Sequence, residues 1–457
     1  MAKLRDLLAR TTRSDDVAGV LHGAGIVLMI RVAAAPLAYV VMVVLARWMG
    51  AAEFGIYTWV FSWTMLLAIP AGLALHVCLR YLPGYLAHEQ WSHLRGLLTS
   101  SVALTVLIAS ATSLVGAGAL WVLQESVEQT LLVPFLLGLG GLPVMALVAL
   151  MAQIGRAFGW VVVAYSPSQI AHPILLAIAV LLLPQTHRQA TAAELLAISF
   201  ALFLVAVVMQ GSIYARRLGQ RLRQAAPGYE LRAWLRVGVP LVMVAGLVGV
   251  IDQSDLVMVG LFLTPTDVAY YSGAVRSAAL VIFFFDAIMS LAGPKIAELH
   301  ARGDSRALQS LLAGVIPWIA LPTLAVATVI LLLGVPLLAM FGEGFVAAYP
   351  GLLCLATAHL ICACMGPAAI LLSMTGHQDD CAKAYGVAAV ANVVLNALLI
   401  PILGILGAAI ATSVAKVGIN AWLLRVVHRV LGLRPSIFAA RSAPGIDPAS
   451  DRPSGTT

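Results

Sequence analysis

Eight polar side chains sit inside long apolar stretches of this sequence, and their types suit the handling of charge rather than the making of bonds. Arg31, Arg276 and Lys416 are cations in otherwise apolar surroundings. Asp252 and Asp255 lie one helical turn apart, Asp286 follows the Phe283–Phe285 run, and Asn392 and Asn396 are spaced to share one helix face. An ionisable group in lipid is costly and faces a cavity or a partner. One reading makes these residues the lining of a polar cavity. Arg31, Arg276 and Lys416, with the amides of Asn392 and Asn396, then meet an anion such as a diphosphate. Asp252, Asp255 and Asp286 tune those cations or hold a coupling proton or sodium ion. The plainer reading is a set of internal ion pairs that only hold helices together, with Arg31 and Asp252 the obvious pair, and with the two asparagines bonding across helices.

Other residues favour plain roles. Arg47 and Trp48 read as an interfacial anchor, because an arginine near a membrane boundary snorkels easily. Trp59 and Trp63 read as part of an aromatic belt, and His76 and His359 lack partners at ligand spacing. His377, Asp379 and Asp380 read as a solvated turn rather than a metal site. The five cysteines, Cys78, Cys354, Cys362, Cys364 and Cys381, form no CxxC pair and read as small buried hydrophobes. No metal or other cofactor is expected. GxSxG, P-loop and HExxH patterns are absent, and no long loop offers room for a catalytic domain, so a non-enzymatic chain is expected.

The elements that must position these residues follow from composition. Of 457 residues, 61% are hydrophobic and 10% charged, against about 45–50% and about 25% in soluble domains. Most of the chain therefore has lipid as its solvent. Apolar segments long enough to cross a bilayer number about twelve. They lie near 20–46, 54–79, 97–121, 131–153, 160–183, 193–214, 236–263, 269–293, 311–334, 350–374, 382–402 and 405–427. Their length and lack of strict alternation make them helices, since only helices and closed barrels satisfy the backbone in lipid. Internal prolines (Pro36, Pro143, Pro317, Pro367) are tolerated in such helices. The first span is too long for a cleavable signal peptide and is expected to remain as an anchor.

The net charge is +7, but the basic residues fall between spans, so topology rather than nucleic acid explains them. Lys3, Arg5, Arg10 and Arg13 precede the first span. Arg216, Arg217, Arg221, Arg223, Arg232 and Arg236 follow the sixth, and Arg425, Arg429, Arg434, Arg441 and Arg452 end the chain. With both termini cytoplasmic, roughly 22 Lys/Arg lie inside and roughly 2 outside. The expected organisation is a cytoplasmic amphipathic arm over 1–17, a six-helix lobe over 18–214, a basic linker over 215–235, a second six-helix lobe over 236–430 and a disordered cytoplasmic tail over 431–457. The halves look related. Gly50-Ala51-Ala52-Glu53-Phe54-Gly55-Ile56-Tyr57 follows the first span, and Thr264-Pro265-Thr266-Asp267-Val268-Ala269-Tyr270-Tyr271 follows the seventh. Each has an acidic residue four before a tyrosine, suited to the positive end of the next helix. A repeat over six spans keeps the same orientation, so the fold class expected is an all-α polytopic membrane protein, two pseudo-symmetric six-helix lobes around a central cavity.

Leu45-Ala46-Arg47-Trp48-Met49-Gly50-Ala51-Ala52-Glu53-Phe54-Gly55-Ile56-Tyr57 resembles the N-terminal signature of the bacterial polysaccharide transporters, the Wzx-like O-antigen flippases of the multidrug/oligosaccharidyl-lipid/polysaccharide exporter superfamily. Thr375-Gly376-His377, Asn392-Val393-Val394-Leu395-Asn396-Ala397-Leu398-Leu399-Ile400-Pro401 and the stretch from Gly404 to Thr412 are similar to motifs late in that family. The resemblance covers roughly residues 18–430. It implies a V of two lobes, basic residues in the cavity at helices matching those of Arg31 and Arg276, and a chain that flips undecaprenyl-diphosphate-linked oligosaccharide from the inner to the outer leaflet of the bacterial inner membrane. The Asp252/Asp255 pair matches no family pattern. Implied partners are the bilayer, the lipid-linked oligosaccharide, and a polysaccharide polymerase with chain-length proteins. The alternatives are a cation-coupled multidrug antiporter of the same superfamily, which requires a cavity of net negative lining, and a membrane polysaccharide polymerase or assembly protein.

Overall fold

A computed structural model describes the backbone of residues 2–182 and 190–433; for residues 2–28, 31, 220, 221, 223, 286, 287, 290, 291, 294 and 305 it describes the backbone alone. The expected tail beyond Leu433 therefore lies outside the described residues. The described elements are helical throughout. In chain order they are α1 (Ala2–Leu67), a 3-10 turn (Pro70–Gly72), α2 (Leu73–Ala87), α3 (Trp91–Val122), α4 (Gln129–Ala157), α5 (Val161–Ser166), a π-helical turn (Pro167–Ala171), α6 (His172–Leu182), α7 (Ala192–Arg217) and α8 (Gly219–Gln224). There follow α9 (Leu231–Phe262), α10 (Pro265–Ala301), α11 (Ser305–Ala339), a 3-10 turn (Glu343–Ala348), α12 (Tyr349–Met365), α13 (Ala368–Met374), α14 (Gln378–Leu403) and α15 (Ile405–Leu431).

Eleven helices among the described residues are long and apolar enough to cross a membrane, and one of them runs Val32–Leu67. A straight helix of that length would reach about 54 Å, far beyond a hydrocarbon core of about 30 Å. The break is at Gly50, whose φ of 75° and ψ of 165° are not helical. Tyr39 and Phe54 both lie against Phe341, with ring centroids 5.3 and 6.5 Å away. A straight helix would hold those two residues about 22 Å apart, so the chain folds back at Gly50. A positive φ there suits glycine, which has no Cβ to clash. The first and second expected spans are thus two helical legs that meet at a single non-helical residue. The same helix begins at Ala2 with no break between the expected N-terminal arm and the first span.

Other ends follow local chemistry. Thr191 with Glu194, and Thr264 with Asp267, form capping boxes that open α7 and α10. The Asp304 side chain accepts from the Ala307 N–H at 2.8 Å to open α11. Pro36, Pro143 and Pro317 ride inside helices. Pro367, preceded by Gly366 at φ 85°, instead separates α12 from α13.

The helices of each half pack mainly among themselves, and the halves meet where α1 packs on α10 and where α1 and α2 pack on α9. One buried cluster crosses this seam, with Leu45, Met49, Phe54 and Tyr57 against Val268, Tyr271, Phe341 and Phe345. A close approach fixes it. Gly55 lies so near the Pro265 carbonyl that a Cβ would overlap it. Trp59 crosses the same seam, donating from Nε1 to the Val257 carbonyl at 3.1 Å while its ring lies on Gly260.

Candidate functional site at the seam and in the second bundle

The charged and amide residues of the second half converge from four helices. Asp255 on α9 is buried, with 3% of its surface exposed. Its Oδ2 accepts from the Tyr271 hydroxyl of α10 at 2.9 Å and from the Thr412 hydroxyl of α15 at 3.2 Å, while Oδ1 accepts from the Leu256 N–H at 2.8 Å. Three donors on one carboxylate offset much of the cost of its burial. Asp252, one turn earlier, stands at the margin of this cluster and faces Lys416 with 3.3 Å between Nζ and Oδ1. Thr412 and Lys416 are one turn apart on α15, as Asp255 and Asp252 are on α9, so the two antiparallel faces match residue for residue.

Asp252 is thus joined to Lys416 within the second half, and the expected pair of Asp252 with Arg31 falls on a side chain outside the described residues. The side chains of Arg31 and Asp286 lie outside the described residues. Lys416 is accordingly a cation already balanced by a carboxylate. Asn392 and Asn396 are fully buried and open to no cavity in this conformation. Ser254 donates to Asn392 Oδ1 at 2.7 Å, and Asn396 Nδ2 donates to the Asn392 carbonyl at 2.9 Å and to its Oδ1 at 3.1 Å. That leaves Asn392 Nδ2 and Asn396 Oδ1 buried without a partner.

Arg276, on α10 at the seam, differs from Lys416. No described carboxylate forms an ion pair with it, and its Nε is buried without a hydrogen-bond partner. Arg47, expected at a membrane boundary, has specific partners across the seam. Its guanidinium donates to the carbonyls of Met340 at 2.5 Å and Ala339 at 2.9 Å. It thus caps the C-terminal end of α11 from the opposite bundle, where a cation suits the helix dipole. The two acidic residues of the repeated motif diverge as well. Asp267 caps its own helix, whereas Glu53 Oε2 accepts from the Ala192 N–H at 2.6 Å, at the start of α7.

The sequence gives no warning of Ser254 or Thr412 as neighbours in the site. Tyr271 carries a signal, since it occupies the repeated position after the first span of its half.

Comparison with known proteins places the chain. A family model described as polysaccharide biosynthesis protein matches residues 20–300, more than half the chain. The chain belongs to this family. A relative from Haloferax volcanii, described as a probable low-salt glycan biosynthesis flippase, Agl15, is 26% identical over 162 residues. That match spans 35% of this chain and 34% of the relative. Among solved structures, an inward-facing multidrug resistance MATE family transporter of the MOP superfamily superposes with a TM-score of 0.71 at 13% identity, over 91% of this chain and 99% of the other. The lipid II flippase MurJ in an inward closed conformation gives 0.65 at 14% identity, over 88% of this chain and 87% of MurJ. At such identities the likeness shows the fold. The family member described here is thus a multi-pass membrane protein with the MATE/MurJ-like helical fold, and the relatives named are transporters and flippases rather than enzymes.

Proposed function

We propose that this family member flips an undecaprenyl-diphosphate-linked oligosaccharide from the inner to the outer leaflet of the bacterial cytoplasmic membrane by alternating access of two six-helix lobes, spanning 18–214 and 236–430. Both termini and the basic 215–235 linker then lie in the cytoplasm. Family membership and the flippase relative support the substrate class. The observation that carries the reading is Arg276, a cation at the seam with no described carboxylate to neutralise it. A diphosphate cannot enter lipid unaided, and a guanidinium offers it paired, charge-assisted hydrogen bonds. Arg276 is the primary anion contact in this reading, with Arg31 its companion. Lys416 is the secondary cation, released to substrate only when Asp252 gives it up.

The same reading gives Asp255 the coupling role. A buried carboxylate that accepts from the hydroxyls of Tyr271 and Thr412 is suited to a proton or a small hard cation, which binds oxygen ligands. Occupation there would alter how α9, α10, α14 and α15 pack, and so bias the rocking of the lobes.

The test is reconstitution of the intact chain in proteoliposomes with a fluorescent undecaprenyl-diphosphate oligosaccharide in one leaflet. Translocation is expected, with no efflux of small organic cations. Cation efflux without lipid translocation would replace this reading with the antiporter, and glycosidic bond formation would replace it with the polymerase.

A further inference from the structure

A basic corner that the proposed site does not use lies at one end of the first bundle. Three crossing helices end there: α4 finishes at Ala157, α5 begins at Val161, and α7 finishes at Arg217. The chain turns from α4 into α5 at Gly159, whose φ of 73° suits glycine. The Trp160 N–H donates to the Gly155 carbonyl at 2.8 Å and ties the turn to α4. Tyr214 ties α7 to the same place, donating its hydroxyl to the Met151 carbonyl at 3.0 Å. Gly155 makes this approach possible, since a Cβ there would overlap the Tyr214 hydroxyl and crowd the Ala164 methyl.

The rings at this corner form a platform. Phe158 stacks on Trp160, with centroids 4.7 Å apart, and Trp160 lies against Tyr214 at 5.2 Å. The Arg217 guanidinium sits over the Trp160 ring, 5.2 Å from its centroid. Arg156, in the last turn of α4, sits over the Tyr165 ring at 5.5 Å and donates to the Gln153 side-chain oxygen. Both arginines are exposed, and no described carboxylate forms an ion pair with either. Residues 129–193 and 195–229 contain no aspartate or glutamate, and Glu194 lies at the opposite end of α7.

The plainer reading makes both arginines caps for helix C-termini, where cations suit the dipole. Arg47 shows the form of such a cap, with its donors on two end carbonyls. Arg217 differs. Among the described residues no acceptor takes its N–H groups, and it sits over an indole instead. A guanidinium so held keeps its donors for a phosphate, which accepts them in pairs. The depth is that of a lipid headgroup, because the ends of crossing helices and their tryptophans lie at the membrane boundary. Exposed apolar side chains continue from the corner into the spans, Val162 on α5 and Val205 and Met209 on α7, where acyl chains would lie.

We propose that this corner is a binding site for the headgroup of an anionic phospholipid, with Arg217 on its Trp160 platform as the main phosphate contact and Arg156 as a second cation. The lipid is a resident neighbour of the first bundle rather than its cargo, and the assignment holds whatever the bundles transport.

Native mass spectrometry of the full chain in detergent, titrated with phosphatidylglycerol or with phosphatidylcholine, tests this. Tighter binding of phosphatidylglycerol is expected. Arg217→Gln should weaken it about fivefold, the scale for one arginine against an anionic lipid, and Arg156→Gln should weaken it by a smaller factor. Arg216→Gln removes the same charge from the neighbouring position, which makes no described ring contact, and should change binding much less. Trp160→Leu keeps every charge and should still weaken binding about two- to fivefold, the scale of an exposed cation–π contact. Trp160→Phe should retain most of the affinity. Thermal unfolding of each variant separates loss of fold from loss of the site. Equal losses for Arg216→Gln and Arg217→Gln would reduce the corner to a general basic surface and overturn the proposal. So would equal binding of the two lipids, or inorganic phosphate binding as tightly as phosphatidylglycerol. Undecaprenyl phosphate that displaces phosphatidylglycerol at equal concentration would overturn it in favour of a cargo entry site.

Discussion

Asp252 and Asp255 share a helix and a face but not an environment. Asp255 has three donors and no open side, while Asp252 is half exposed against Lys416. Asp255→Asn turns a donor of its own toward the Tyr271 and Thr412 hydroxyls. We expect it to cost about 1–3 kcal/mol, the scale for leaving buried partners unsatisfied, and to abolish any dependence of transport on a coupling cation. Asp252→Asn should cost under about 1 kcal/mol, since partly exposed ion pairs contribute little. Thermal unfolding of the two variants side by side checks this, and equal losses would contradict it. The spacing of the two aspartates was readable, but the identity of their partners was not. Lys416, Tyr271 and Thr412 come from distant segments, and hydroxyls in apolar helices often bond back to their own turn, as Thr58 and Thr64 do. Only packing shows which hydroxyl reaches across. Arg276 was legible as a lone cation in an apolar stretch; that no described carboxylate would pair with it was not.

At the scale of elements, the apolar runs identified the crossing helices, and the capping residues at Thr191 and Thr264 marked two of their starts. The breaks were harder to read. Arg47 and Glu53 marked a boundary between the first two expected spans, but that a single residue, Gly50, makes the reversal by its backbone conformation carried no composition signal. The role of Arg47 was hidden for the opposite reason, since an arginine at a helix end fits an interfacial anchor equally well. Arg47→Ala should speed hydrogen–deuterium exchange at the end of α11, around Ala339 and Met340, by removing a cap and charge of roughly 1 kcal/mol. Arg47→Lys should restore part of the protection, because a lysine offers a point charge without the paired fork. Unchanged exchange in Arg47→Ala would show that the cap does not hold the seam. Gly55→Ala drives a methyl into the Pro265 carbonyl and should lower the unfolding temperature by more than the same change at Gly84, where a Cβ meets open space.

For the whole molecule, composition and charge placement were enough for the fold class, because lipid permits few architectures. The fold leaves open which cargo is carried, since the same bundle serves drug export and lipid flipping in the proteins it resembles; cargo depends on the charge and shape between the bundles. Orientation is a molecule-scale prediction. A fluorescent protein fused after Thr457 should fluoresce in the cytoplasm, and alkaline phosphatase at the same place should stay inactive. Active phosphatase would reverse the topology and place the basic linker outside.

The central claim is that an uncompensated cation at the seam receives the diphosphate of a lipid-linked oligosaccharide. The measurement that tests it most directly is the rate of translocation of fluorescent undecaprenyl-diphosphate oligosaccharide in proteoliposomes holding the intact chain or Arg276→Gln, each shown to be folded. Loss of a charge-assisted contact of about 1.5–3 kcal/mol predicts at least about a tenfold fall in transport at low substrate, with partial recovery in Arg276→Lys. Transport by Arg276→Gln at the rate of the intact chain would contradict the account.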